Sequence, residues 1–289
     1  MCTAGQSIAC VGPAGCSGGQ ACKSDGSGYE ACQCGTPADG GGDARVDAAP
    51  GDAGDGAVGW KPTALGSGLS LWLEADVGVT LASQHVSKWA DQSGNGNDAT
   101  PTNPSTSATM GTTSGHAVLQ FVPATAALLV ADAVSLQFPS DFAVELVVDA
   151  TAGGGGFAYS KVPIGSPNGM QINWGGSSPP VFINNPYILP YSMGGGTVDL
   201  TDAKLHVIGV RRTGATCEVR VDGVATAGQT NACSLVLANS SGSPVTLGRS
   251  YDLGNGSTEN YGEIVAVKGT LSNGDLASLE AYFKAKYGL

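Results

Sequence analysis

The chain has 289 residues, room for one large β-domain and something small, and its 45 glycines against only 13% charged residues favour a turn-rich, all-β class. The formal net charge of −11 argues against nucleic acid or an anionic membrane as partner, since both are held through Lys and Arg. The longest apolar run, around Ala124 to Ala131, falls far short of the roughly 20 residues of a membrane-spanning helix.

Six of the eight cysteines, Cys2, Cys10, Cys16, Cys22, Cys32 and Cys34, lie in residues 1 to 35, where Ile8 and Val11 are nearly the only aliphatic side chains. No apolar core can form there, so three disulfides are expected to hold a small module in an oxidising compartment, with fifteen connectivities open. The spacing contains no CxxC and no nearby histidine, which makes zinc the weaker reading. Met1 directly before Cys2 suggests a removed leader; Cys2 is then either a lipidated residue or, as the even count favours, a disulfide partner. Residues 36 to 59 are low-complexity Gly, Ala, Asp and Pro with a local charge of −4, the composition of a flexible acidic tether.

From Trp60 the pattern becomes that of strands, and residues 60 to 289 read as one domain. Leu71, Leu73, Ala75 and Val77 alternate with Trp72, Glu74 and Asp76, the period-two signature of a half-buried strand. Ala117 to Val122 and Phe142 to Asp149 alternate in the same way, each with one face expected inward. Asp222-Gly223 between VRV and VATA is a two-residue hairpin signal, and in that register Cys217 faces Gly228, so a bridge to Cys233 needs the chain to loop back. Near the end, Ser272 stands at capping-box spacing before Asp275, Leu276, Leu279, Phe283 and Tyr287 follow at helical intervals, and Gly288 stops the helix, which is expected to pack on the outside or one end of a sandwich.

The stretches LWLEADVGVTL, VSKWADQSGNGNDATP, LHVIGVRR with VRVDGV, and NYGEIVAVKGTLSNGDLASLEAYFKAKYGL together resemble a bacterial laminin-G-like domain of the concanavalin A-like jelly-roll superfamily over most of residues 65 to 289. Residues 1 to 35 resemble the cysteine-rich leader modules of bacterial surface and secreted lipoproteins. The first resemblance implies two antiparallel sheets with a concave face, on which or at whose rim relatives hold glycans, calcium or protein partners.

Four aromatic residues, Tyr159, Trp174, Tyr187 and Tyr191, lie among Gly, Pro and Asn and are the candidates for stacking on a sugar, with Trp174 and Tyr187 first; the alternative is that they cover the core edge. Asp91, Asn95 and Asp98 offer oxygen ligands for calcium, the one cofactor considered, but position twelve is Thr102 where an EF-hand has Glu, and a plain Asn/Gly turn held by Asp91 explains the loop as well. The loop from Asp252 to Asn260 carries the same ambiguity. Some glycosidases of this fold carry E-x-D-x-E on one strand; Glu74-Ala75-Asp76-Val77-Gly78 lacks the third carboxylate. Gly15 to Gly19 matches G-x-S-x-G only in letters, and His85, His116 and His206 form no metal motif.

These features lead to the expectation of a secreted or outer-surface, non-catalytic domain that binds an extracellular glycan, with no complete catalytic set. The alternatives are a structural or adhesive protein that contacts cell-surface proteins, and a polysaccharide hydrolase or lyase using Glu74 and Asp76.

Overall fold

The structure is a computed structural model that describes residues 7–11, 17–31, 33–34, 59–121, 126–149, 156–163, 169–174, 181–184, 192–195, 200, 202–225, 242–254, 256 and 258–289. The chain divides into two compact units, Met1–Asp52 and Ala53–Leu289. In the first, strands β1 (Ser7–Val11), β2 (Ser17–Ala21) and β3 (Gln33–Cys34) form a small antiparallel sheet. Cys22 is buried and disulfide-bonded. The expected acidic tether lies almost wholly outside the described residues.

The second unit is an all-β antiparallel sandwich with one C-terminal helix. Its strands, in chain order, are β4 (Leu69–Glu74), β5 (Val79–Ala82), β6 (His85–Trp89), β7 (Ala99–Pro101), β8 (Thr109–Thr113), β9 (His116–Phe121), β10 (Leu128–Val130), β11 (Phe142–Asp149), β12 (Gly156–Lys161), β13 (Met170–Trp174), β14 (Val181–Asn184), β15 (Ser192–Gly195), β16 (His206–Thr213), β17 (Thr216–Val221), β18 (Val224–Ala225), β19 (Val245–Leu247) and β20 (Glu259–Lys268). One layer runs β17–β16–β11–β20, with β4 and β9 sharing the far edge of β20. The other runs β6–β7–β10–β19–β12–β13–β14–β15. Strand β8 pairs with both β9 and β6 and so joins the layers at one side.

Alternation sends Leu71, Leu73, Val144, Leu146, Ile208 and Val210 of the first layer against Leu128, Val130, Leu247 and Ile172 of the second, and this is the main core. The Asp222-Gly223 hairpin forms as expected, with Val221 opposite Val224 and both turn residues at positive φ (51° and 78°), the two-residue turn whose twist matches the strands. Cys217, fully buried, is disulfide-bonded; Cys233 lies outside the described residues.

One expectation about β11 needs correction. It was read as a strand with a single inward face, yet all eight of its residues are buried. The reason is helix α1 (Asn273–Tyr287), which lies on the outer face of the first layer. The Ser272 side chain accepts from the Asp275 amide at 3.0 Å and donates to its carboxylate at 2.7 Å, while Gly288 ends the helix in the left-handed conformation (φ 69°). Leu276, Leu279, Phe283 and Tyr287 then bury against Trp72, Ala143, Val147, Val207 and Val265, forming a second core. A register shift opposite Val147 and Val148 makes Gly262 an extra residue, which turns Tyr261 inward and Glu263 outward under the helix. A Cβ at 262 would sit 3.0 Å from the Tyr287 ring and 3.2 Å from the Val147 side chain, so a larger residue there would make one of them give way by a few tenths of an ångström.

Candidate active site

Of the four aromatic residues picked from sequence as sugar contacts, Tyr159 alone has a described side chain. Tyr159 is fully buried in the inter-sheet core, and burial raises its hydroxyl pKa above the ordinary value, so its ring cannot stack on a ligand. Trp174 belongs to β13, but its side chain, with Tyr187 and Tyr191, lies outside the described residues.

The loop after β6 is a strut. Asp91 accepts hydrogen bonds from the Trp72 amide (2.9 Å), the Ser93 amide (2.9 Å) and hydroxyl (2.7 Å), and the Asn97 amide (2.9 Å). Asn95 and Asn97 donate to the carbonyls of Leu69 (2.8 Å) and Ser70 (2.7 Å). Asp98 accepts from the Asp91 amide (2.9 Å) and from Lys88 (2.8 Å), and that lysine holds its carboxyl below the usual carboxylate range. The motif therefore pins the start of β4, and the carboxylate oxygens of Asp91 and Asp98 proposed for calcium accept from protein donors. In the second acidic loop, Asp252 accepts from the Ser250 hydroxyl (2.5 Å) and the Gly254 amide (3.0 Å), an Asx turn. No cluster of three or more metal-ligating side chains occurs among the described residues.

Two charged clusters lie on the face covered by α1. In the first, Glu263 stands opposite Glu74 on the neighbouring strand. It accepts from Trp72 Nε1 (2.6 Å), Tyr282 (3.0 Å), Tyr287 (3.0 Å) and Lys286 (2.9 Å), and Lys286 also bonds Glu74 and reaches Asp76 (3.2 Å). Burial raises the Glu263 pKa despite Lys286, and Lys286 itself, although burial acts to lower it, is held above its ordinary value by Glu263 and Glu74. Glu74 and Asp76 are thus drawn into a clamp on the helix, with four donors on the buried carboxylate. That packing leaves no room for a substrate at Glu263, which is fully buried.

The second cluster is built differently. Glu145, at the centre of β11, faces the helix side, and its register partner on β16 is Gly209, whose own partner on β17 is Arg220. A Cβ on Gly209 would lie 2.4 Å from both carboxyl oxygens, so the Glu145 carboxyl occupies the space that any other residue at 209 would fill. Glu145 is 1% exposed and neither oxygen has a hydrogen-bond partner. Burial, reinforced by the like charge of Glu280 against the opposing effect of Arg220 and Arg211, pushes its pKa up to about 8. Across Gly209 lies a cleft of about 270 Å³, lined on the sheet side by Arg211, Glu218 and Arg220 and on the helix side by Asn273, Leu276, Ala277 and Glu280. Glu218 is gripped from both sides, by Arg211 (2.7 Å) and Arg220 (2.8 Å). Burial acts to raise its pKa, but those hydrogen bonds prevail and hold it below the usual carboxylate range.

Two carboxyl groups with opposite protonation preferences therefore lie near one another on this layer, Glu218 on the wall of the cleft and Glu145 buried over Gly209, outside its lining. The sequence reading missed both. The one available signal was a lone carboxylate inside the apolar run FAVELVVD, together with a glycine inside HVIGVRR.

No family model and no curated protein matches the sequence. Among solved structures the fold is similar to Trypanosoma rangeli sialidase (16% identity, 74% of this chain, TM-score 0.52) and, in another crystal, to the same enzyme in complex with sialic acid (15%, 74%, 0.52). It is likewise similar to an arabinofuranosidase complexed with arabinofuranosyl-α-1,2-xylobiose (15% identity, 70% of this chain, TM-score 0.51). The chain spans 33% of the length of the sialidase and 51% of that of the arabinofuranosidase. At these identities the likeness concerns the fold. It counts against the expectation of a non-catalytic recognition module, because the similar folds occur in glycoside hydrolases.

Proposed function

We propose that the sandwich hydrolyses a glycosidic bond in an extracellular glycan, with Glu218 as the carboxylate that activates water. The observation that carries this reading is a carboxylate on the wall of the cleft under α1 that two guanidinium groups hold ionised. In the step itself Glu218 takes a proton from the water whose oxygen bonds the anomeric carbon, as the bond to the leaving oxygen breaks and that oxygen takes a proton from solvent. The similarity to sialidase and arabinofuranosidase folds supports the substrate class, and the cysteine-rich sequence supports an oxidising, extracellular setting. The laminin-G-like resemblance of residues 65 to 289 belongs to this reading as the scaffold.

The test is turnover of a panel of nitrophenyl glycosides and soluble polysaccharides by the full chain, compared with Glu218→Gln. The substitution is expected to lower kcat by about a hundredfold or more. Turnover unchanged in the variant would remove Glu218 from the chemistry, and no turnover on any substrate would end the hydrolase reading.

A further inference from the structure

Glu145, Gly209 and Arg220 stand in one row across β11, β16 and β17. Two strand spacings, about 10 Å, separate the backbones of the outer two, and the middle residue has no side chain to come between them. Glu145 is sealed with both oxygens unpartnered, and on its other flank its register partner is the apolar Val265 of β20. The charges that face it are Arg211 of β16, Glu218 and Arg220 of β17, and Glu280 of α1. Two guanidinium groups thus balance two carboxylates while Glu145 is neutral, and a third carboxylate appears when it loses its proton, at a pKa of about 8. A carboxylate closed off from water needs a cation or hydrogen-bond donors beside it.

Arg220 is the cation in line with it. Its Nε and Nη2 hold the two oxygens of Glu280 (2.6 and 3.2 Å), which ties the middle of α1 to the sheet, while Nη1 holds Glu218 (2.8 Å). Glu218 has a second partner in Arg211 (2.7 Å), so it stays paired if Arg220 turns away. A substitute for Glu280 stands one turn along the helix. A Cβ on Gly223, at the tip of the β17–β18 hairpin, would meet Lys284 Nζ at 2.8 Å and Glu280 Oε2 at 3.1 Å, so the ammonium and the carboxylate gather at the same tip. Lys284 is exposed and forms no ion pair among the described residues, and a glutamate four places before a lysine is the favoured order on a helix.

We propose that Glu145 is a switch under the helix: once ionised it takes Arg220 from Glu280, Glu280 passes to Lys284, and the helix side of the cleft comes free of β17. In the first arrangement Lys284 is left to solvent; in the second, three cations meet three carboxylates. The switch does not rest on the hydrolase reading, because none of its readouts needs turnover. It is tested on the full chain by following the carbon-detected Cζ–Nε resonance of Arg220 from about pH 6 to about pH 9.5, a range in which an exposed lysine keeps its charge. Hydrogen exchange of α1 is measured at both ends of that range and corrected for the intrinsic rate. The expected result is a transition of the resonance centred near pH 8, absent in Glu145→Gln. Protection of residues 276 to 280 should fall about tenfold or more across it. Glu280→Gln should move the midpoint down by on the order of one unit, and Lys284→Met should move it up by about 0.3 unit, the worth of one exposed helix pair. A resonance that does not move, a transition that persists in Glu145→Gln, equal protection of α1 at the two ends, or a midpoint unchanged in both Glu280→Gln and Lys284→Met overturns the inference.

Discussion

The carboxyl of Glu145 rests over Gly209 on the adjacent strand, in the volume where the side chain of any other residue at 209 would begin. Gly209 lies within a strand and not at positive φ, so glycine is required here for space and not for backbone conformation. Gly209→Ala should cost about 1–3 kcal/mol by overpacking. In a Glu145→Ala background the same change should cost much less, because the clash is gone. A double-mutant cycle by urea unfolding measures the difference, and equal costs in both backgrounds would show that the two residues do not compete for that space.

Glu145 also gives stability a pH dependence of known sign. Its folded-state pKa, about 8, lies above the value of about 4.3 for an exposed glutamate, so between these values the folded protein holds a proton that the unfolded chain releases. Its effect is therefore a fall in stability as pH rises from about 4 to 8, with no further change above. Glu145→Gln should abolish that slope. It should raise Tm at pH 8 relative to the parent and alter it little at pH 5, by an amount on the order of a few kcal/mol at most, checked by calorimetry at the two pH values.

Glu280 supplies the like charge that helps keep Glu145 protonated, and at the same time it occupies Arg220. Glu280→Gln removes the first effect and leaves Arg220 freer to stabilise a Glu145 carboxylate. The Glu145 pKa should fall by on the order of one unit, read from its ¹³C carboxyl resonance in a pH titration without substrate.

Lys286 is the cation that compensates a fully buried Glu263. Lys286→Met leaves that carboxylate with three neutral donors and no counter-charge, at a cost of about 3–5 kcal/mol. Hydrogen exchange should report the loss first in α1, whose last turn carries the lysine. Protection of α1 unchanged from the parent would mean that the clamp does not hold the helix.

Asp91 accepts four hydrogen bonds, one that ties its loop to β4 and three that hold the loop itself, so Asp91→Ala should lower stability by roughly 2–4 kcal/mol, the range for several part-buried donors left unpaired at once. Adding calcium or EDTA should leave Tm unchanged. A calcium-dependent rise of several degrees would return this loop to the list of metal sites.

The sequence by itself determined the all-β class, the alternation of β4 and β11, the Asp222-Gly223 hairpin and the capped C-terminal helix. Each of these is fixed by chemistry within a few residues: a period of two, two positive φ values, a serine three places before an aspartate. Only the tertiary structure decided which face α1 covers, and that choice turned β11 from half-buried to fully buried and drew Glu74 and Asp76 into the Lys286 clamp. It also decided the candidate site. Glu145, Gly209, Arg220 and Glu280 come from three strands and a helix spread over 136 positions of the chain, and the raised pKa of Glu145 arises from burial and from charges on those other elements. No local pattern encodes a desolvation that depends on what packs above the strand, which is why the aromatic residues of one loop-rich stretch looked like the site and a lone glutamate in an apolar strand did not.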